Sequence, residues 1–147
     1  MTIWVDADAC PVRAEVEKVA TRLRRPVIMV TNGGIRAPQN PLITVRYVAS
    51  GPDVADMEIA SGVIPGDIVV TTDIPLAAKV VEAGGFVIRP DGTTLDQRNI
   101  GEVLAMRDLM QDLRSADPFR QGGGKSFGAA DRSRFLDSLD RLARRRS

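Results

Sequence analysis

The chain is 147 residues long, the size of one ordinary domain and enough to bury a core without disulfide or metal staples. Hydrophobic residues make up 44% and charged residues 27%, and no apolar run approaches the ~20 residues that a membrane span requires. With no histidine and a single cysteine, Cys10, the composition excludes Ser-His-Asp and Cys-His catalysis, a zinc centre and an internal disulfide, so acid–base or metal chemistry falls to carboxylates.

The opening residues Met1 to Asp6 lack the basic and apolar regions of a signal peptide, and a cytoplasmic protein is expected. Ile3 to Val5 is a short apolar run ending in Asp6-Ala7-Asp8. After Pro11, the residues Val12, Val16, Val19, Ala20 and Leu23 recur at helical spacing. Val27 to Val30 predicts a second buried strand, closed by Thr31-Asn32-Gly33-Gly34, and Ile43 to Val48 a third. Between them Ile35 to Leu42, with two prolines, predicts an extended connection. Asp53 to Ile64 predicts a short helix, Ile68 to Thr71 a strand, Pro75 to Ala83 a helix and Phe86 to Arg89 a fifth strand.

From Asn99 onward Ile100, Val103, Leu104, Met110 and Leu113 predict a longer helix. Phe135, Leu136, Leu139, Leu142 and Ala143 predict another, and the segment 117–130 between them is expected to be a mobile Gly-rich loop. Charge is uneven along the chain: residues 1–119 carry 12 basic and 16 acidic groups, residues 120–147 carry 8 and 3, and 17 of the 20 basic residues are arginine. That bias suits bidentate phosphate contacts, although Arg141, Arg144, Arg145 and Arg146 equally complement a helix dipole. Continuous apolar strands alternating with helices define the expected fold as α/β: a single domain with a mostly parallel five-stranded sheet, helices on both faces and C-terminal helices. Sites in such folds lie beyond the carboxyl ends of the strands.

Five aspartates fall on that rim. Asp6 and Asp8, two apart, would project to the same side of an extended chain. Asp8 can cap the helix near Pro11, whereas Asp6 stands too far from it to do so. Asp53 and Asp56 imitate a capping box and also share one helix face, and Asp73 can cap the helix at Pro75. Like charges gathered in low dielectric raise one another's pKa unless a cation is present, and Mg²⁺ or Mn²⁺ would relieve them.

Val5-Asp6-Ala7-Asp8-Ala9-Cys10-Pro11, Gly51-Pro52-Asp53-Val54-Ala55-Asp56 and Asp67 to Ala77 resemble motifs of the YaiI/YqxD family of bacterial proteins. Asn99-Ile100, Gly122-Gly123-Gly124 and Asp131 to Phe135 match as well. That family is similar in turn to PIN-like and NYN-type nuclease domains, in which acidic residues after strand one, on a middle helix and after strand four bind divalent metal. The resemblance implies a PIN-like domain over 1–147 and a metal-dependent, ribonuclease-type hydrolase. It implies metal ligands at Asp6, Asp53, Asp56 and Asp73, catalytic roles for Asp6, Asp8 and Asp73, and nucleic-acid contacts from Asn32, Lys125, Arg132 and Arg134.

Two other readings fit part of the pattern. A phosphatase resembling the haloacid-dehalogenase class would use Asp6 as nucleophile, Asp8 as general acid and Thr31 as the second-motif hydroxyl. Only Lys18, Lys79 and Lys125 could supply its lysine. A non-catalytic module binding nucleic acid or a partner would keep the fold and acidic pocket alone. Gly122 to Ser126 lacks the first glycine and preceding strand of a P-loop, and Cys10 is expected to be structural.

Overall fold

The structure, a computed structural model, describes residues 1–51, 53–116 and 127–145. Along the chain it runs β1 (Ile3–Asp6), a 3₁₀ turn (Ala7–Ala9), α1 (Arg13–Leu23), β2 (Val27–Thr31), β3 (Ile43–Tyr47) and α2 (Val54–Gly62). It continues with β4 (Ile68–Val70), α3 (Ile74–Glu82), β5 (Phe86–Ile88), β6 (Thr94–Leu95), α4 (Ile100–Ala116) and α5 (Ala129–Arg145). The sheet has six strands in the order β3-β2-β1-β4-β5-β6, not five. The first five are parallel, and β6 returns antiparallel on β5.

The sixth strand escapes sequence reading because it is two residues long and carries no alternation of its own. A tight turn produces it. Arg89 donates its N–H to Thr93 O and its carbonyl accepts from Gly92 N, both at 2.8 Å. Gly92 has φ +91 there, and a Cβ would stand 2.8 Å from the Arg134 carbonyl carbon. The expected loop over 117–130 falls largely outside the described residues, and Ala129 already opens α5.

Alternation along the buried strands divides the interior into two layers. Ile3, Val5, Ile68, Val70 and Ile88 face a core shared with Val16 and Val19 of α1 and Phe135 and Leu139 of α5. Trp4, Val30, Val69 and Val87 face the other way, against Ile59 of α2 and Leu76, Ala77 and Val80 of α3. Both faces of the central strands are covered, which is why these strands are continuously apolar.

Asp67 is a buried carboxylate, 2% exposed, just before β4. Its oxygens accept from Thr2 N at 2.9 Å, Trp4 Nε1 at 3.1 Å and Ile64 N at 3.1 Å. These bonds join the start of β1, the start of β4 and the loop after α2. Trp4 in turn lies on Gly62, where a Cβ would stand 2.4 Å from the indole ring.

Truncating Asp67 to alanine would leave three donors without their acceptor. Each buried unsatisfied group costs roughly 1–3 kcal/mol, so Asp67→Ala is expected to lose about 3–5 kcal/mol in urea unfolding, with Asp67→Asn intermediate. A loss below about 1 kcal/mol would show that these bonds do not hold the strand pair together.

Candidate functional site: an acidic rim at the carboxyl end of the sheet

Asp6 ends β1 with φ −77 and ψ 87, and the chain passes directly into the 3₁₀ turn. The turn overrides the expectation that Asp6 and Asp8 share one side, because they are not on an extended chain. Asp6 Oδ2 accepts from Thr71 Oγ1 at 3.2 Å, beyond β4. Asp8 Oδ2 accepts from Asn32 N at 2.9 Å, and Asp8 Oδ1 from Thr31 Oγ1, at the end of β2. The two carboxylates thus reach opposite flanks of β1.

Each is held by a buried threonine, Thr31 at 0% and Thr71 at 3% exposure. The hydroxyl oxygens also accept backbone N–H groups, Thr31 from Gly33 and Thr71 from Asp73, both at 3.1 Å. Thr71 therefore orients Asp6 and the Asp73 backbone together. A hydroxyl residue at the end of an apolar strand, directly before an acidic turn, is the signal that would have singled it out.

The capping alternatives divide. Asp73 does cap α3, accepting from Leu76 N at 2.9 Å. Asp8 does not cap α1, whose N-cap is Val12 without a side-chain bond. Asp53 occupies the N-cap of α2 but makes no side-chain capping bond, so the box suggested by its spacing from Asp56 does not form. Asp53 instead has φ 66 and ψ 2, a left-handed conformation that costs a non-glycine residue of order 1 kcal/mol.

Asp56, in the first turn of α2, meets Asp73 and Asp6 across the rim. Burial, a hydrogen bond with Asp73 and the charges of Asp73, Asp6 and Asp53 push its carboxyl up to about 7. Burial also raises Asp6, opposed by the Thr71 hydrogen bond and reinforced by the charges of Asp73 and Asp8. Carboxylates from β1, α2 and the cap of α3 thus act on one another. In donor chemistry they fit a hard cation such as Mg²⁺ or Mn²⁺, which prefers carboxylate oxygens. In the geometry present, no three acidic or cysteine side chains among the described residues are arranged to hold a metal ion.

The other expected contacts are scattered. Asn32 is exposed on the rim beside Asp8, and Lys125 lies outside the described residues. Arg132 donates to Pro11 O at 2.8 Å and to Glu15 at 3.1 Å, tying α5 to the start of α1. Arg134 pairs with Asp131 on its own helix. Of the lysines weighed for a phosphatase-like site, Lys18 and Lys79 are exposed on α1 and α3. Burial raises the Cys10 thiol to about 11, leaving it protonated and unreactive.

Adjoining Asp73, beyond β4 and β5, a cleft of about 700 Å³ opens between the start of α3 and one face of α4. Arg89 and Arg107 line it together with Met106 and Met110. The sequence does not mark them as neighbours, because Arg89 follows β5 whereas the other three lie on α4. Among the described residues no helix is long and apolar enough to cross a membrane.

Fold and rim together define a doubly wound, mostly parallel α/β domain with aspartates gathered at the carboxyl ends of its central strands. The chain belongs to the YaiI/YqxD family of uncharacterised proteins, whose family model matches residues 4–145. It is 62% identical over 143 residues to a UPF0178 protein of Cereibacter sphaeroides, covering 97% of this chain and 88% of that one. A UPF0178 protein of Roseobacter denitrificans is also 62% identical, with 97% and 95% covered, and one of Rhodopseudomonas palustris is 52% identical, with 99% and 94% covered. No solved structure matches the chain significantly.

The raised carboxyl of Asp56 has a thermodynamic sign. Its folded-state pKa of about 7 exceeds the ordinary 3.8, so the folded domain binds that proton more tightly than the unfolded chain. The resulting stability is complete below about pH 4 and is lost as pH rises through about 7. In chelator, wild-type Tm should fall between about pH 5 and about pH 8. Asp56→Asn should flatten the profile and melt higher than wild type at the alkaline end. Parallel profiles for the two proteins would contradict the mutual charging of the rim.

Proposed function

We propose that this protein hydrolyses phosphodiester bonds in a divalent-metal-dependent reaction at the acidic rim, with RNA as the substrate class. The observation that carries the reading is the gathering of Asp6, Asp56 and Asp73, from three separate elements, close enough to charge one another, with Asp6 oriented by the 3.2 Å hydrogen bond from Thr71. Like charges gathered in this way raise one another's pKa, and a cation would offset them. Of the three, Asp73 also serves as a helix cap, and Asp6 and Asp56 cap nothing.

Asp6, Asp56 and Asp73 would hold Mg²⁺ or Mn²⁺, with Asp53 beside them in the approach to α2. When bound, the cation supplies Lewis acidity toward water and toward the phosphate oxygens. Asp6 provides the central carboxylate, because β1 lies between β2 and β4. Thr71 fixes the rotation of that carboxylate through the 3.2 Å hydrogen bond. Asp8, with both oxygens engaged by the end of β2, is a positioning residue that anchors the turn after Asp6.

Calorimetric titration with Mn²⁺ tests the assignment. Wild type should bind and Asp6→Asn should not. Thr71→Val, which keeps the shape but removes the hydrogen bond, should weaken binding about 10–100-fold, the usual effect of losing a group that orients a ligand. Mn²⁺-dependent cleavage of single-stranded RNA should fall in the same order. Equal Mn²⁺ binding by wild type and Asp6→Asn would sink the reading.

A further inference from the structure

Arg89 directly follows β5, and its backbone is pinned on both sides by the turn to β6. Its side chain is half-buried, yet it forms no hydrogen bond or ion pair among the described residues. A guanidinium carries five donors, and none of those of Arg89 is taken up by an acceptor among the described residues. Such a group on the wall of an open cleft is suited to an anion arriving from solution.

Arg107 lines the same cleft from α4. Among the described residues it pairs with the adjacent Asp108 at 3.6 Å, an exposed pair of little strength. Both arginines are planar forks matched to phosphate oxygens. Apolar side chains supply part of the remaining lining. Ile74 and Val103 contribute to it, and Met106 is 58% exposed there, an adaptable thioether surface of the kind that packs against aromatic faces.

Glu102 limits what can enter. Its exposed carboxylate at the start of α4 also lines the cleft and would repel a run of phosphates, although it can accept from a sugar hydroxyl. The lining therefore matches one phosphate with an attached sugar and base rather than a stretch of backbone. Asp73 shares the wall, so the cleft is continuous with the acidic rim.

We propose that this cleft binds the nucleotide next to the scissile phosphate of a single-stranded RNA, with Arg89 and Arg107 on its phosphate and Met106 and Met110 under its base. The inference rests on the phosphodiesterase reading for the identity of the chain. It assigns the binding subsite to residues outside the aspartate cluster. Its strand neighbours set the scale: β5 lies two strands from β1, or about 10 Å at the usual spacing, which is within reach of an adjoining nucleotide.

Fluorescence anisotropy with a fluorescein-labelled oligouridylate of about ten nucleotides, in Ca²⁺, tests the site on the whole protein. Arg89→Met and Arg107→Gln should each raise Kd about tenfold. Each should also shrink the slope of log affinity against log salt by about 0.7, the contribution of one single-strand phosphate contact. Arg24→Gln, exposed at the end of α1 on the opposite edge of the sheet, should change neither. Circular dichroism checks folding, and Arg107 on the helix surface provides a variant with no structural bond across elements to lose.

Unchanged affinity and salt slope in both cleft variants would overturn the inference, as would an equal loss in Arg24→Gln or no binding by wild type. Mn²⁺-dependent cleavage measured on the same proteins separates the two proposals. Cleavage abolished by Asp6→Asn but untouched by the arginine variants leaves the catalytic reading without this subsite. Arginine-dependent binding with no cleavage by wild type supports the subsite and removes the catalytic reading.

Discussion

The buried carboxylate of Asp67 sets the register on which the rest of the molecule depends. By accepting from Thr2 N and Trp4 Nε1 it holds the beginning of β1 against the beginning of β4, pairing Ile3 with Ile68 and Val5 with Val70. Because side chains alternate along a strand, a slip of one residue would turn Trp4 into the α1–α5 layer and Val5 out of it. The same register decides what happens at the other end. Asp6, one residue beyond Val5, comes beside Thr71, one residue beyond Val70, and the Asp6–Thr71 hydrogen bond follows. A structural carboxylate at one edge of the sheet thus positions a candidate functional one at the opposite edge.

The rim places charge repulsion where local structure already needs carboxylates. Asp73 is retained by its hydrogen bond to the start of α3, and Asp8 by the end of β2, so both carry structural work at the same time. Asp56 and Asp53 have no such compensation. One has its carboxyl pushed up by burial and by the neighbouring Asp73, and the other sits in a left-handed backbone conformation with no capping bond. Local conflict of this kind is unfavourable for folding and is concentrated at sites that serve something other than stability.

Much of the architecture is legible in the sequence because buried parallel strands are short apolar runs, and the runs from Ile3, Val27, Ile43, Ile68 and Phe86 all become strands within a residue or so of their apparent ends. The misses have physical causes. Strand β6 depends on the Arg89–Gly92 turn rather than on any pattern of its own. The 3₁₀ turn at Ala7–Ala9 separates Asp6 from Asp8, and spacing alone, which presumes one backbone conformation, could not show it. Asp56 and Asp73 are both visible as rim aspartates, but their contact depends on how α2 and α3 pack across the sheet. Arg89 and Arg107 were invisible as a pair because 17 residues and an antiparallel return separate them.

Trp4, the sole tryptophan of the chain, occupies an informative place. Its indole is 3% exposed, lies against Gly62, donates to Asp67 and has the Arg46 guanidinium 5.2 Å from its ring centroid. These three neighbours of the ring come from three different elements: α2, the entry to β4, and β3. The chromophore is also two residues from Asp6 along a rigid central strand. Selective excitation of this one tryptophan, apart from the exposed Tyr47, therefore reports the integrity of the β1–β4 pair.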